Sequence, residues 1–357
     1  MSKLFEAIFE FQKDSREPIF IEEQKKVASA INASLSQNYL DDGNEIDLVK
    51  GTIAALNKTP GSRFKQESLF IHGNRSQVQF DYYGKTAKKE MADLILVSTM
   101  TYRSKPVLQK MTIVQAKKDT EKMKASWAID SEQLHFLSTW PVFTGVKGIF
   151  PKKEKNVVID NSGCMGSYLL YREPGDFVFI AAPSLGRFLG GKKRVNINEL
   201  TFLQPPTSQI NGTNSFGNQY PFPFPDTDPD EWFYMWEKYM HRYYKMGLPM
   251  PFLPNNAGFS VLGNQLIALN VNDTVHHLSL LNIGELIFSS QADIGVNENA
   301  YRLLKTVLRY IRELHPNEIG ELALFRYMRE DVPIFEGVDM RGISVGLVHT
   351  ISEIGQG

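Results

Sequence analysis

Apolar and polar positions change period several times along the chain, and each change marks an element. Val27, Ile31 and Leu35 recur at helical spacing, and Val49, Ile53 and Leu56 do so again, which predicts an early helix and a second one over 46–57. Runs with strand character follow at 77–83, 91–98 and 107–116, and the polar stretch Thr101 to Pro106 reads as the turn of a long hairpin. An amphipathic helix is expected around 124–140, carrying Trp127, Leu134 and Leu137. Ser167 to Tyr171 and Asp176 to Ile180 read as two more strands around the turn Glu173-Pro174-Gly175. Residues 204–229 are too rich in proline and glycine to continue a regular element and read as a linker or a loop packed by its aromatics. Beyond it, a helix opens near Asp228 to Glu231 and carries Trp232, Phe233, Trp236, Tyr239, Met240, Tyr243 and Tyr244. A last helix, 297–314, sets Leu303, Leu304, Val307, Leu308 and Ile311 among Arg302, Lys305, Arg309 and Arg312.

The chemistry concentrates on the central hairpin. Side chains alternate along a strand, so Ile113, Gln115 and Lys117 share one face while Thr112, Val114 and Ala116 share the other. The hairpin brings Asp93, at the start of one strand, beside Gln115 and Lys117 at the end of its partner. A carboxylate, an amide and an ammonium therefore meet at one end of an otherwise apolar strand pair.

Asp93, Gln115 and Lys117 in the order helix, three strands, helix resemble the PD-(D/E)xK phosphodiesterase superfamily, the restriction-endonuclease-like nucleases, in the variant whose motif reads D…QxK. The resemblance covers roughly residues 41 to 185. It implies an α/β fold with a restriction-endonuclease-like core, a mixed central sheet flanked by helices. It also implies hydrolysis of DNA phosphodiesters with Mg²⁺ or Mn²⁺ bound by oxygen ligands. In that scheme Asp93 and Gln115 are metal ligands and Lys117 orients the attacking water and offsets phosphate charge. A further ligand comes from a glutamate on a preceding helix. Glu45, on the face of Val49 and Ile53, is the first choice, and Glu23 is the reserve. Nucleases of this type commonly serve prokaryotic restriction or antiphage defence. Gln115 in place of the commoner acid removes one negative charge from the ligand set, and this keeps alive a second expectation: an adaptor subunit that retains the fold and binds nucleic acid without cutting it.

Composition narrows the picture modestly. The 357 residues, 42% hydrophobic and 22% charged, describe a globular chain of about two domains. A net charge of −1 excludes a uniformly basic coat, so any DNA contact falls to local clusters. Lys88 and Lys89 on one side of the hairpin, with Lys118 and Lys122 on the other, flank the site and are the expected phosphate contacts. The single cysteine, Cys164, excludes an intramolecular disulfide and a cysteine zinc cluster, and the seven histidines lack metal-ligand spacing. Neither a Walker loop nor a serine-hydrolase elbow occurs, so an ATPase, if the activity needs one, is a separate partner. No secretory leader or membrane span is evident, which predicts a cytoplasmic protein without membrane contact.

The expected organisation is a helical lead-in over 1–40, a nuclease-like domain over 41–203, a linker or loop over 204–230 and a carboxyl-terminal α+β region over 231–357 for assembly or recognition. Cutting both strands with one motif per chain calls for a second copy, so a homo-oligomer or a partner protein is expected. The aromatic helix and the stripe at 303–311 are the surfaces for it.

Overall fold

A computed structural model describes residues 18–58, 64–71, 77–119, 126–147, 156–159, 165–173, 175–196, 292–293, 298–314, 316, 323–335 and 345–354. Helices α1 (Pro18–Leu40) and α2 (Glu45–Asn57) lead into strands β1 (Phe64–Ile71), β2 (Gln77–Tyr82), β3 (Lys85–Glu90), β4 (Leu94–Tyr102) and β5 (Lys105–Lys118). Next come β6 (Ser126–Ala128), α3 (Ser131–Thr139), β7 (Phe143–Lys147), β8 (Gly166–Arg172), β9 (Asp176–Ala181), α4 (Ala182–Leu189) and β10 (Arg194–Asn196). The carboxyl-terminal segment supplies β11 (Ala292–Asp293), α5 (Glu298–Leu314), a 3-10 turn (Ala323–Tyr327) and β12 (Val345–Ile354).

The main sheet is mixed, in the order β1-β12-β4-β5-β8-β9, with β11 also paired to β5. β4 and β5 are antiparallel, and β8 runs parallel to β5 after a crossover that contains α3. Both faces are covered. Leu94, Leu96, Val114, Ala116, Leu169 and Tyr171 pack under α1 and α2, while Ile95, Val97, Met111, Ile113, Tyr168 and Leu170 pack under α3, α4 and α5. A strand buried on two sides needs apolar residues at successive positions, which is why β4 opens on the unbroken run Leu94 to Val97. The class is mixed α/β, as expected.

Several expectations change in detail. The turn between β4 and β5 is only Arg103-Ser104, both left-handed with φ of 49° and 63°, the pattern of a two-residue type I′ hairpin. Pro106 sits inside β5 opposite Thr101, where the register shifts, and such irregular pairing tolerates a missing N–H. The helix expected over 124–140 divides: Trp127 belongs to β6, paired with β10, and its indole N–H donates to the Tyr171 carbonyl at 2.8 Å. α3 starts only after Asp130, whose carboxylate accepts from the Gln133 N–H at 2.9 Å and caps it. A buried tryptophan at helical spacing from Leu134 mimics a helix that the cap postpones.

The carboxyl-terminal segment is part of the same sheet and core. β12 lies between β1 and β4, antiparallel to the first and parallel to the second. In α5, Leu303, Leu304, Val307 and Leu308 are buried, so the stripe read as an assembly surface is core. Lys305 on the same helix donates to the carbonyls of Arg329, Glu330 and Val332 at 2.8, 3.0 and 2.6 Å and holds that loop down. The linker 204–230 and the aromatic helix 232–244 lie outside the described residues, as do Cys164 and Lys122. No helix among the described residues is long and apolar enough to cross a membrane.

Candidate active site

Asp93 stands one step before β4, and its N–H donates to the Val114 carbonyl at 3.0 Å, so it continues the register that pairs Leu94 with Val114. The next partner in that register is Gln115, and opposed residues point to the same face. The amide Nε2 of Gln115 accordingly donates to Asp93 Oδ2, which also accepts from the Ala116 N–H at 2.8 Å. Gln115 is 3% exposed, deep enough that both ends of its amide need partners.

The second partner is Gln133, in the first turn of α3, whose Nε2 donates to Gln115 Oε1 and also to the Glu90 carbonyl at 3.2 Å. This chain fixes the amide orientation. The Glu90 carbonyl can only accept, so Gln133 presents its NH₂, Gln115 must offer its oxygen to Gln133, and its NH₂ is left for Asp93. Sequence reasoning missed Gln133. Its signal was a polar residue on the inward stripe of α3, three and four positions before the buried Phe136 and Leu137.

Glu45 reaches the last two residues of β5, just beyond Gln115. Asn44 caps α2, in a reciprocal capping box with Asp47, and this sets Glu45 at the first helical position. Its Oε1 accepts from the Lys118 N–H at 3.0 Å, and its Oε2 lies 3.4 Å from Lys117 Nζ. Asp93, Gln115 and Gln133 thus form one bonded chain, Glu45 and Lys117 form a pair, and the two groups adjoin along β5. Glu23, the reserve ligand, lies on α1, and none of the contacts just named involves it. Tyr168, paired in register with Gln115 on β8, is buried, and its hydroxyl has no hydrogen-bond partner among the described residues. Burial raises its pKa, with the charges of Asp130 and Asp93 adding to the effect.

The expected phosphate contacts fare unevenly. Lys89 is held by Asp130 at 2.7 Å and Glu132 at 2.9 Å; these bonds keep its pKa above the ordinary lysine value although burial pulls it down. Lys118 donates to the Gly43 carbonyl at 2.7 Å and lies over the Tyr39 ring. Lys88 is exposed. Lysines that look alike in sequence differ here because their acceptors come from remote segments.

Asp119, just after β5, is buried, and burial raises its pKa, as does the nearby Glu173, while the Glu173 N–H bond at 3.4 Å and Lys118 pull it down. Tyr39 beside it is raised in turn, by burial first and then by Asp119. A raised carboxyl pKa means folding favours the protonated form. The stability it lends is therefore full below the unfolded value and lost as pH climbs through the folded one. Asp119→Asn is expected to melt above wild type at pH 7, with the difference vanishing at about pH 3. An equal or lower melting temperature at pH 7 would refute a charge-burial cost here.

No set of three His, Cys, Asp or Glu side chains suited to a metal ion occurs among the described residues. The oxygen donors on hand are the carboxylates of Asp93 and Glu45 and the carbonyl of Gln115. They are hard ligands of the kind Mg²⁺ and Mn²⁺ take, provided the Gln115 amide turns over. No family model matches the chain, and no curated protein or solved structure matches it.

Proposed function

We propose that this chain is a metal-dependent endodeoxyribonuclease with a restriction-endonuclease-like core, acting in a restriction or antiphage setting. The observation that carries the reading is the pairing of Asp93 with Gln115 where β4 begins and β5 ends, with Lys117 two positions along the same face and in contact with Glu45. Asp93, Glu45 and the Gln115 carbonyl would hold Mg²⁺ or Mn²⁺. When bound, such a cation stabilises charge on the phosphorane-like transition state and acidifies the attacking water. Lys117 orients that water and offsets phosphate charge. DNA is the substrate, and a second copy or a partner supplies the second cut. Conversion of supercoiled plasmid to nicked and linear forms with Mg²⁺ or Mn²⁺, and its absence in chelator, tests the reading; no cleavage with either metal counts against it.

The second reading, a non-catalytic nucleic-acid-binding or adaptor subunit, draws on the amide orientation. Gln115 gives Asp93 a donor where a ligand set would have an oxygen.

The two readings separate at Gln133. Turning the Gln115 amide toward a cation sets its NH₂ against the NH₂ of Gln133, so Gln133 opposes metal binding. Gln133→Met is expected to tighten Mn²⁺ binding about five-fold, the worth of one net hydrogen bond of roughly 1 kcal/mol. Unchanged or weaker binding by calorimetry would show that the carbonyl of Gln115 is not recruited.

A further inference from the structure

The hairpin joining β2 and β3 turns through Tyr83 and Gly84, with φ of 50° and 79°. Both central residues of this turn type need a left-handed backbone, which suits Asn, Asp and Gly and is unfavourable for a bulky aromatic. Tyr83 is nevertheless there, and it is 80% exposed, so no core packing offsets the strain. Arg103 takes the same conformation in the β4–β5 turn, so what sets Tyr83 apart is an aromatic ring held out to solvent at that position.

Its neighbours indicate a role for that ring. The Tyr83 ring lies 4.9 Å from that of Tyr82 and 5.2 Å from that of His135 on α3, and Tyr82 and His135 are 5.3 Å apart. Tyr82 and His135 are half-buried and rest against Phe80 and the core, so they brace Tyr83 from behind. Asp81 accepts from the Gly84 N–H at 3.2 Å, which holds the turn. Lys85, paired in register with Tyr82, is exposed and adds a cation to the same hairpin. From this tip β3 runs about 20 Å of extended chain to Glu90, whose carbonyl takes the Gln133 bond of the candidate active site.

We propose that Tyr83, braced by Tyr82 and His135 and flanked by Lys85, is a stacking platform for an unpaired nucleobase, holding a single-stranded segment of the nucleic acid a few nucleotides from the candidate active site. An aromatic face accepts any base and a lysine meets the adjoining phosphate, a combination that binds single strands without reading sequence. The site rests on the nucleic-acid part of the proposed function and not on catalysis.

The test is fluorescence anisotropy of the full chain with a labelled 20-nucleotide oligo-dT and with a duplex of equal length, in chelator so that nothing is cut. Tyr83→Asn puts a residue suited to the turn in place of the ring, and a thermal melt at or above wild type shows that the fold is kept. Single-strand affinity is expected to fall about five-fold or more, with Tyr83→Trp near wild type, and the loss on duplex is expected to be smaller. Equal single-strand binding by wild type and Tyr83→Asn overturns the platform, as does a wild-type chain that binds neither probe. Failure of the nuclease reading looks different: wild type would bind the single strand through Tyr83 yet cut no plasmid with any metal.

Discussion

Asp93→Asn and Lys117→Met are expected to lower plasmid cleavage by a factor of about 100 to 1,000 each, the usual loss when one charge-stabilising group leaves a reaction centre. Both changes remove charge and keep shape. Asparagine at 93 still offers an oxygen to the Ala116 N–H, so the start of β4 stays tied to β5. Methionine at 117 keeps the apolar stem and gives up only the ammonium that meets Glu45 at 3.4 Å. That ion pair is partly exposed and contributes little to stability, so the melting temperature should move by no more than a few degrees. Initial rates of nicking and linearisation, read beside a thermal melt, decide the matter. Cleavage within a few-fold of wild type by either variant would remove that residue from the chemistry. Glu45→Gln is less clean, because its carboxylate also accepts the Lys118 N–H.

The largest loss of stability is expected in α5. Leu304 is fully buried with Tyr301, Leu303 and Val307 in the core beneath the sheet, so Leu304→Ala should cost about 2–5 kcal/mol, the transfer term plus an unfilled cavity. Leu308→Asp should prevent folding at ordinary temperature, since it buries a carboxylate in an apolar core where Leu308 is only 1% exposed. Urea denaturation followed by tryptophan fluorescence measures both. A Leu308→Asp chain that melts like wild type but changes its oligomeric state would return this stripe to the role its sequence suggested, an interface between chains. The aromatic helix, the other surface expected to serve assembly, lies outside the described residues.

Much of the candidate site was legible because it is local. The alternation in Ile113, Gln115 and Lys117 assigns the amide and the ammonium to one face whatever surrounds them. The short hairpin then leaves Asp93 only one strand to face. The Asn44 cap is written within three residues of where it acts. Gln133, the commitment of Lys89 to Asp130 and Glu132, and the strained exposure of Tyr83 were not legible, because each depends on which element lies alongside. A buried glutamine on a helix and a solvated one have the same sequence signature until the strand beneath is known.

The sequence by itself determined the mixed α/β class, the periods of the central strands, and the placing of Asp93 beside Gln115. These follow from side-chain volume, polarity and backbone preference acting over a few residues. Only the tertiary structure decided that β12, from the far end of the chain, enters the sheet between β1 and β4, and that α5 lies in the core under that sheet. The physical reason is that a sheet is joined by backbone N–H and C=O groups, which are the same in nearly every residue. A strand's side chains therefore say which face it buries and not which distant strand it lies beside.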